Sequence, residues 1–240
     1  MPRRPRVITP GVAHHVTKRG NNRRSVLLST RNRAFYPARL THNDGTRILD
    51  YCLMTNHVHL VAILAEENSL ARALGPTHSE STLYRNRSCE ESGHVWQNRF
   101  FSCPLGESHL ITALRYIELN SVRAGLAELA WEWPWSSARA HALPASMDPV
   151  LDPATPDCRG PWNHTEWREI LAAGVSETDS YAIRPATLTG EPLGSTEFVV
   201  RLERETGRRL LARGRPLRSR ESVSIGSATA AQTCWFAGKD

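Results

Sequence analysis

The chain has 240 residues, a hydrophobic content of 40% and a formal net charge of +6, values that fit one sizeable globular domain or a domain with an appendage. Its five cysteines form no Cys-x-x-Cys pair, so the composition indicates neither a zinc ribbon nor a disulfide framework and fits the reducing cytoplasm. The longest purely apolar run, residues 60–65, is too short to cross a membrane. The basic N-terminus has no apolar stretch behind it, so we expect no signal peptide and no membrane partner.

The positive charge is concentrated towards the two ends of the chain. Residues 1–43 hold ten Lys and Arg and no acidic residue, and residues 201–220 hold eight Arg against two Glu. The stretch between them is acidic overall. Basic ends around an acidic middle predict two surfaces for a polyanion, with ordinary solvated faces as the alternative.

Turn signals and hydrophobic periodicity divide the first part of the chain into alternating strands and helices. Pro37 falls inside the first predicted helix and is expected to end or kink it. The order of elements predicts an α+β fold with a mostly antiparallel sheet. The predicted elements are a strand over 12–20, a helix over 31–40, strands over 46–52 and 57–64, a short helix over 66–74, a strand within 94–105, a helix over 106–126 and a short helix within 133–141.

Two stretches are predicted to lack regular structure. Residues 76–93 are polar and irregular in pattern, and five prolines across residues 142–163 indicate a linker. A weaker helical pattern follows over residues 195–213. We therefore divide the chain into a domain over 1–141 and a Pro-rich linker with a basic C-terminal extension over 142–240.

Two histidines interrupt the apolar segment YCLMTNHVHLVAIL at residues 51–64. On a strand, side chains two residues apart point to the same face, so His57 and His59 project together while Val58 faces the opposite way. Two neutral imidazoles on one face can begin a metal site. A structural or incidental pair is the alternative, and the spacing alone does not decide between them.

The predicted helix over 106–126 supplies a reaction partner in the segment RYIELN. Tyr116 and Asn120 are four residues apart and share one helical face. The phenol of Tyr116 can act as a nucleophile, and the carboxamide oxygen of Asn120 can bind a hard cation such as Mg²⁺ or Mn²⁺. The alternative is that Tyr116 is an amphipathic core residue and Asn120 a polar residue near the helix end.

Five motifs follow one another along residues 12–141: VTKRGNNRRSV, YCLMTNHVHLV, GHVWQNRFFSCPL, ALRYIELNSVRAGL and WPWSSARAH. Together they resemble the REP-associated tyrosine transposases of the HUH superfamily, relatives of the single-strand transposases of small bacterial insertion sequences. The resemblance implies a ferredoxin-like antiparallel sheet with helices packed on it and makes residues 1–141 the catalytic domain.

The same resemblance implies metal-dependent cleavage and rejoining of single-stranded DNA at repeat hairpins, through a 5′-phosphotyrosine intermediate. It assigns His57 and His59 to the metal pair, Tyr116 to the nucleophile and Asn120 to a third polar ligand. The implied cofactor is a divalent metal, Mg²⁺ or Mn²⁺, and no nucleotide-binding motif is present. The implied partner is single-stranded or hairpin DNA, a homodimer is a further expectation, and the expected location is the cytoplasm, in association with the nucleoid.

Basic and amide side chains near these motifs are the candidate DNA contacts, since they suit phosphates and base edges. One group surrounds the turn after the first strand, and a second lies on the tyrosine helix. The candidates are Lys18, Arg19, Asn21, Asn22, Arg23, Arg24, Arg115 and Arg123.

Two further features leave alternatives open. Trp131, Trp133 and Trp135 can stack on unpaired bases or pack in the core, and we favour core packing. The segment RRLLARGRPLRSR over 208–220 resembles a minor-groove hook, with an electrostatic anchor as the plainer reading. Pro37 and the segment after residue 75 depart from the family pattern, and we expect them to weaken helix packing on the sheet.

Three functions are consistent with the sequence. The first is a DNA strand transferase that uses Tyr116 and a metal. The second is a sequence-specific DNA-binding protein derived from such a transposase that no longer cleaves. The third is a metal-dependent nuclease that uses water and leaves no covalent adduct. The four residues His57, His59, Tyr116 and Asn120 favour the first function, because a protein that only binds DNA does not need all of them.

Overall fold

A computed structural model gives the fold. The structure describes residues 6–40, 45–153, 159–160, 162–175 and 177–210. The basic segment beyond residue 210, with its Arg-Gly-Arg-Pro sequence, lies outside the described residues.

Four antiparallel strands form the central sheet, in the order β2-β3-β1-β4. The elements follow the chain as β1, α1, β2, β3, α2 and β4, which is the ferredoxin-like arrangement. The predicted α+β fold with a ferredoxin-like antiparallel sheet is therefore confirmed. The strands are β1 (Ala13–Arg19), β2 (Thr46–Leu53), β3 (His57–Leu64) and β4 (Phe101–Leu105), and the helices are α1 (Thr30–Leu40), α2 (Ser69–Cys89), α3 (Glu107–Glu118), α4 (Asn120–Arg123), α5 (Ala138–Ala142), α6 (His164–Ala172), α7 (Glu177–Thr189) and α8 (Thr196–Thr206).

Both faces of the sheet are covered, so its central strands are apolar on both sides. Val16, Val58 and Leu60 pack under helices α1 and α2. The opposite face carries Val61 and Cys103 and packs against α3, α5, α6 and α7. The sheet therefore has two separate cores, and the histidine pair of β3 belongs to the second face.

Helix α1 continues through Pro37, so it does not end there, which was one of the two outcomes that the sequence predicted. A proline inside a helix removes one backbone hydrogen bond and costs roughly 3 kcal/mol. Tyr36 and Leu40 lie on either side of it and are buried at 0% and 3% exposure. Their burial offsets the cost of the proline, since a fully buried large apolar side chain contributes about 1.5–3 kcal/mol.

Helix α2 is longer than predicted, because it runs through residues 76–89 where we expected irregular structure. Its second half presents a polar side chain to the interior at each turn, so apolar periodicity could not reveal it. Thr77 donates to the Ala73 carbonyl at 2.8 Å, and Ser81 accepts from the Trp96 indole at 3.1 Å. Arg85 donates to Glu91 at 2.9 Å. The inward polar side chains of this half of α2 thus have partners, and the expected weakening of helix packing stays a prediction.

The predicted helix over 106–126 is two helices. Helix α3 ends at Glu118, and Leu119, with φ −83° and ψ 3°, separates it from the single turn of α4. Asn120 thus begins a new helical segment one residue after this break. The chain then turns at Gly125, whose φ of +68° suits glycine.

The described residues beyond 141 pack against the first part of the chain. Val150 and Arg159, within the predicted linker, are buried. Leu193 pairs with the end of β4, donating to the Pro104 carbonyl at 2.9 Å and accepting from Gly106 at 2.8 Å. Helices α6 and α7 were not predicted, and the predicted helical tail corresponds to α8. The domain boundary at residue 141 stays a prediction.

Candidate active site

The histidine pair lies on the second face of the sheet, at the start of β3. His57 and His59 are 3% and 0% exposed, and their ring centroids are 4.9 Å apart. In the β1–β3 ladder, His57 is opposite Arg19 and His59 is opposite Thr17. Residues directly opposite each other in an antiparallel pair lie on the same face of the sheet. His57 and His59 both project to this face, as the sequence predicted.

Tyr116 comes to this same face from helix α3. Its ring lies edge-to-face with His59 at 6.0 Å between centroids and with His15 at 6.1 Å. The side chain is fully buried. The strand histidines and the helix tyrosine are thus brought together within one chain.

Arg123 connects the other two predicted residues of the site. Its guanidinium lies 4.2 Å from the centroid of the Tyr116 ring and donates to the Tyr116 carbonyl at 2.7 Å. It also donates to Oδ1 of Asn120 at 2.6 Å. A carboxamide oxygen has two lone pairs, so Asn120 can serve as a third metal ligand only by sharing this oxygen with Arg123. That role stays a prediction.

Three residues at the site were missed in the sequence. His15 contacts His59, with Nε2 of His15 2.8 Å from Nδ1 of His59. Thr187 of α7 lies 2.7 Å from Nδ1 of His15. Arg184, one turn earlier in α7, donates from Nε to the Tyr116 hydroxyl at 3.3 Å. His15 belongs to the predicted strand over 12–20, but only the register with β3 places it beside His59, and α7 gave no sequence signal.

Burial keeps these imidazoles neutral at physiological pH. It lowers the pKa of His57 to about 3, and the positive charges of Arg19 and Arg123 act in the same direction. It also lowers the pKa of His59 well below its ordinary value, with His57 and His15 adding to the shift. The pKa of His15 falls to about 3 for the same reason. Neutral imidazole is the form that binds metal ions.

The hydrogen bonds around His57 determine which of its ring nitrogens can bind a cation. Asn56 donates from Nδ2 to the Arg23 carbonyl at 3.2 Å, which fixes the orientation of its amide. Oδ1 of Asn56 lies 2.6 Å from Nδ1 of His57. Because that oxygen only accepts, His57 carries its proton on Nδ1, and Nε2 is the nitrogen with the lone pair. The residues present therefore suit a divalent metal held through Nε2 of His57.

The turn after β1 is fixed close to the histidine pair. Gly20 leaves no room for a side chain, since a Cβ there would lie 2.3 Å from the Arg24 carbonyl oxygen. Asn22 and Arg23 adopt positive φ and are exposed. Asn21 is half-buried beside them. The expected cluster of polar side chains at this turn is thus present in space.

Several predicted DNA contacts already have protein partners. The prediction that Lys18 contacts DNA is corrected. Lys18 is 6% exposed, and its ammonium donates to the Asn98 carbonyl. Burial, together with the charge of Arg6, lowers the pKa of Lys18 to about 8. Arg24 forms an ion pair with Glu91. Arg115 points away from the phenol towards the turn before α7, where it donates to the Gly174 carbonyl.

The three tryptophans pack as favoured. Trp131 and Trp133 join the core on the site face, and Trp135 joins the core under α1 and α2. The indole of Trp133 donates to the Leu53 carbonyl at 3.1 Å.

Among the described residues, one group of carboxylates and imidazole has the spacing of metal ligands, with atoms within 4.8 Å of one another. It consists of Asp50, Glu118 and His141, and all three are buried. Glu118 accepts from His141 and from the Trp167 indole, the latter at 2.8 Å, and Asp50 accepts from Ser137. Burial raises the pKa of Asp50 well above its ordinary value, and the charge of Glu118 adds to the shift. These bonds attach the end of α3 to α5 and α6.

No helix within the described part of the chain is both long enough and apolar enough to cross a membrane.

The fold and the site define a class of protein: a ferredoxin-like sheet that sets a histidine pair against a helix-borne tyrosine. Residues 9–120 match the family model described as Transposase IS200 like. The resemblance seen in the motifs is confirmed.

The chain is also similar to a solved structure described as that of the REP-associated tyrosine transposase bound to a REP hairpin. The two are 19% identical, with a TM-score of 0.49, over 65% of this chain and 94% of that chain. No functionally curated protein matches the sequence.

Proposed function

We propose that the protein cleaves and rejoins single-stranded DNA, with Tyr116 as the nucleophile and with His57 and His59 as ligands of Mg²⁺ or Mn²⁺. The observation that carries the proposal is the ring contact between Tyr116 and His59 within one chain. The family of residues 9–120 supports a DNA substrate. Repeat hairpins and a location on the nucleoid follow from the motif resemblance.

The reaction needs two transfers at one phosphorus. In the first, the Tyr116 oxygen bonds to phosphorus while the bond from phosphorus to the 3′ oxygen breaks. The phenol proton leaves and the 3′ oxygen gains a proton, so the products are a 5′-phosphotyrosine and a free 3′-hydroxyl. In the second, a 3′-hydroxyl attacks the phosphotyrosine, rejoins the strand and restores the phenol.

A bound Mg²⁺ or Mn²⁺ supplies a Lewis acid for the phosphate oxygen. His57 and His59 are placed to hold it as neutral imidazoles. Arg123 over the ring of Tyr116 and Arg184 at its hydroxyl are placed to stabilise negative charge on the phenolic and phosphate oxygens.

The strand-binding surface is the turn after β1. Arg19, Asn21, Asn22 and Arg23 lie at the end of β1 next to the histidine pair, and guanidinium and amide groups suit phosphate oxygens and base edges. We leave Lys18 out of this surface because the residue is 6% exposed and its ammonium donates to the Asn98 carbonyl. Tyr116 acts in its own chain in this scheme, so the expected homodimer is not required for the chemistry.

A second candidate is a DNA-binding protein that no longer cleaves. The full burial of Tyr116 favours it, because a nucleophile must reach its phosphate. If the first proposal holds, the surroundings that bury Tyr116 must move when DNA binds, so that its hydroxyl can reach the phosphate.

The experiment is incubation of the full chain with Mn²⁺ or Mg²⁺ and a labelled DNA hairpin that carries a single-stranded flank, followed by denaturing electrophoresis. We expect a covalent adduct with the wild type and with Tyr84→Phe, a matched loss of a phenol hydroxyl from helix α2. We expect none with Tyr116→Phe. Binding without cleavage in all variants would favour the second candidate, and cleavage without an adduct would favour a nuclease that uses water.

A further inference from the structure

We propose that Thr187 and His15 form a hydrogen-bond chain that holds His59 in the tautomer with its proton on Nδ1, and that both are positioning residues for the metal. The inference deepens the proposed function and rests on it for the role of His59. It gives a role to helix α7, which lies outside the family match at residues 9–120.

The direction of the chain begins in the backbone of α7. The Thr187 hydroxyl donates its one proton to the Ile183 carbonyl at 2.8 Å. Its oxygen must therefore accept from Nδ1 of His15, 2.7 Å away. This bond places the proton of His15 on Nδ1.

The second imidazole follows from the first. His15 is 1% exposed and His59 is 0% exposed, and burial disfavours a second proton on either ring. Nε2 of His15 is then an acceptor, so Nδ1 of His59 donates to it across 2.8 Å. His59 is left with its lone pair on Nε2, the same nitrogen that Asn56 leaves as the lone-pair nitrogen on His57. His57 and His59 therefore have the same tautomer, His57 through its bond with Asn56 and His59 through its bond with His15.

The stacking of the rings fixes orientation as well as protonation. The rings of His15 and His59 are nearly parallel, with an interplanar angle of 11° and centroids 5.1 Å apart. Helix α7 in turn has a fixed position on the sheet, because Cys103 of β4 donates to the Glu191 carbonyl at 3.0 Å just after the helix ends. A partner that orients a metal-binding histidine typically changes metal affinity by about 10- to 100-fold when it is removed.

The first measurement reads the tautomer directly. Ring-nitrogen NMR of the full-length, metal-free protein, with the His59 signals assigned by their loss in His59→Gln, reports which nitrogen carries the proton. We expect Nδ1–H for His15 and His59. An Nε2–H signal for His59 would overturn the proposal, since the Thr187 hydroxyl would then be donating to His15 in the reverse direction.

The second measurement is Mn²⁺ affinity by calorimetry without DNA. We expect Thr187→Val to weaken binding by about 10-fold or more and Thr187→Ser to restore it. Thr189→Val is the matched control, because the exposed Thr189 hydroxyl bonds to the Pro185 and Ala186 carbonyls and accepts from the Glu191 amide, none of which belongs to the site. Equal affinities for Thr187→Val and Thr189→Val, or no Mn²⁺ binding by the wild type, would contradict the proposal.

The proposed function and the hydrogen-bond chain through Thr187 and His15 can be contradicted independently of each other. A wild type that forms no DNA adduct would remove the proposed function, while the NMR signals would still decide the direction of the chain. A wild type that forms the adduct but has His59 protonated on Nε2 would remove only this inference.

Discussion

The ring of Tyr116 lies edge-to-face against the ring of His59, with an interplanar angle of 82° and 6.0 Å between centroids. One residue comes from a helix and the other from the sheet, and both are fully buried. Because this contact forms within one chain, the phenol and the histidine pair do not depend on a second subunit to meet.

Removing one imidazole of the pair is expected to abolish metal binding. His57→Gln leaves His59 as a single nitrogen ligand, and we expect Mn²⁺ affinity to fall by more than about 100-fold, beyond the range for a residue that only orients a ligand. Calorimetry without DNA measures the change. His94→Gln is the control, because His94 is exposed and outside the site, and equal affinities for the two variants would show that the pair does not hold the metal.

Arg184→Gln is expected to slow formation of the DNA adduct. The guanidinium that donates to the Tyr116 oxygen is lost, and removal of one such charge-stabilising donor typically costs about 10²- to 10³-fold in rate. Arg184→Lys keeps the charge and should recover part of the rate. Single-turnover kinetics with a labelled strand provide the measurement, and a faster reaction in Arg184→Gln would mean that this contact restrains Tyr116.

The protein is expected to lose stability in mild acid through His14. This residue is fully buried, its Nδ1 donates to the Val12 carbonyl at 2.8 Å and its Nε2 accepts from the Thr9 amide at 3.3 Å. Burial lowers its pKa to about 4, so between about pH 6.5 and 4 the unfolded chain binds a proton that the folded chain does not. The contribution is fully present above pH 6.5 and falls by about 1.4 kcal/mol per pH unit towards pH 4.

The measurement is the free energy of unfolding in urea across this pH range. His14→Gln should reduce the slope by the contribution of one histidine, whereas His94→Gln, at an exposed position, should not. An unchanged slope in His14→Gln would contradict the assignment.

Glu118→Gln is expected to destabilise the protein by about 1–3 kcal/mol, because Glu118 accepts buried hydrogen bonds from both His141 and Trp167 and an amide has only one oxygen to replace its two. Glu118 is 0% exposed and also accepts from the Trp167 indole, so its loss disturbs the attachment of α3 to α5 and α6. Glu80→Gln is the control, since its ion pair with Arg39 is partly exposed and should contribute less than about 1 kcal/mol. Equal unfolding free energies for the two variants would argue against a structural role for Glu118.

Local rules predicted the part of the site that lies on single elements. The period of two along a strand placed His57 and His59 on one face, and helical periodicity placed Tyr116 on a helix. The four-strand order and the register that sets His15 beside His59 depend on pairing between distant segments, which local patterns do not contain.

Two kinds of feature could not be predicted: the buried polar side chains of helix α2, and the site residues of helix α7, which lies late in the chain. The inward face of α2 carries Thr77, which bonds to the Ala73 carbonyl one turn earlier, and Ser81 and Arg85, which are acceptable in the interior because partners outside the helix satisfy them. Thr187 and Arg184 lie on a helix that contains Pro185 and has no marked apolar pattern. Their contribution depends on where α7 packs, so their contacts are visible only in the folded chain.

The most direct test of the account is identification of the residue that becomes linked to DNA. The wild type would be incubated with Mn²⁺ and a single-stranded hairpin substrate, digested with protease, and the DNA-linked peptide sequenced by mass spectrometry. The account predicts a phosphodiester linkage on Tyr116, within the peptide from helix α3. A linkage on any other residue, or cleavage with free 5′ ends and no linked peptide, would contradict it.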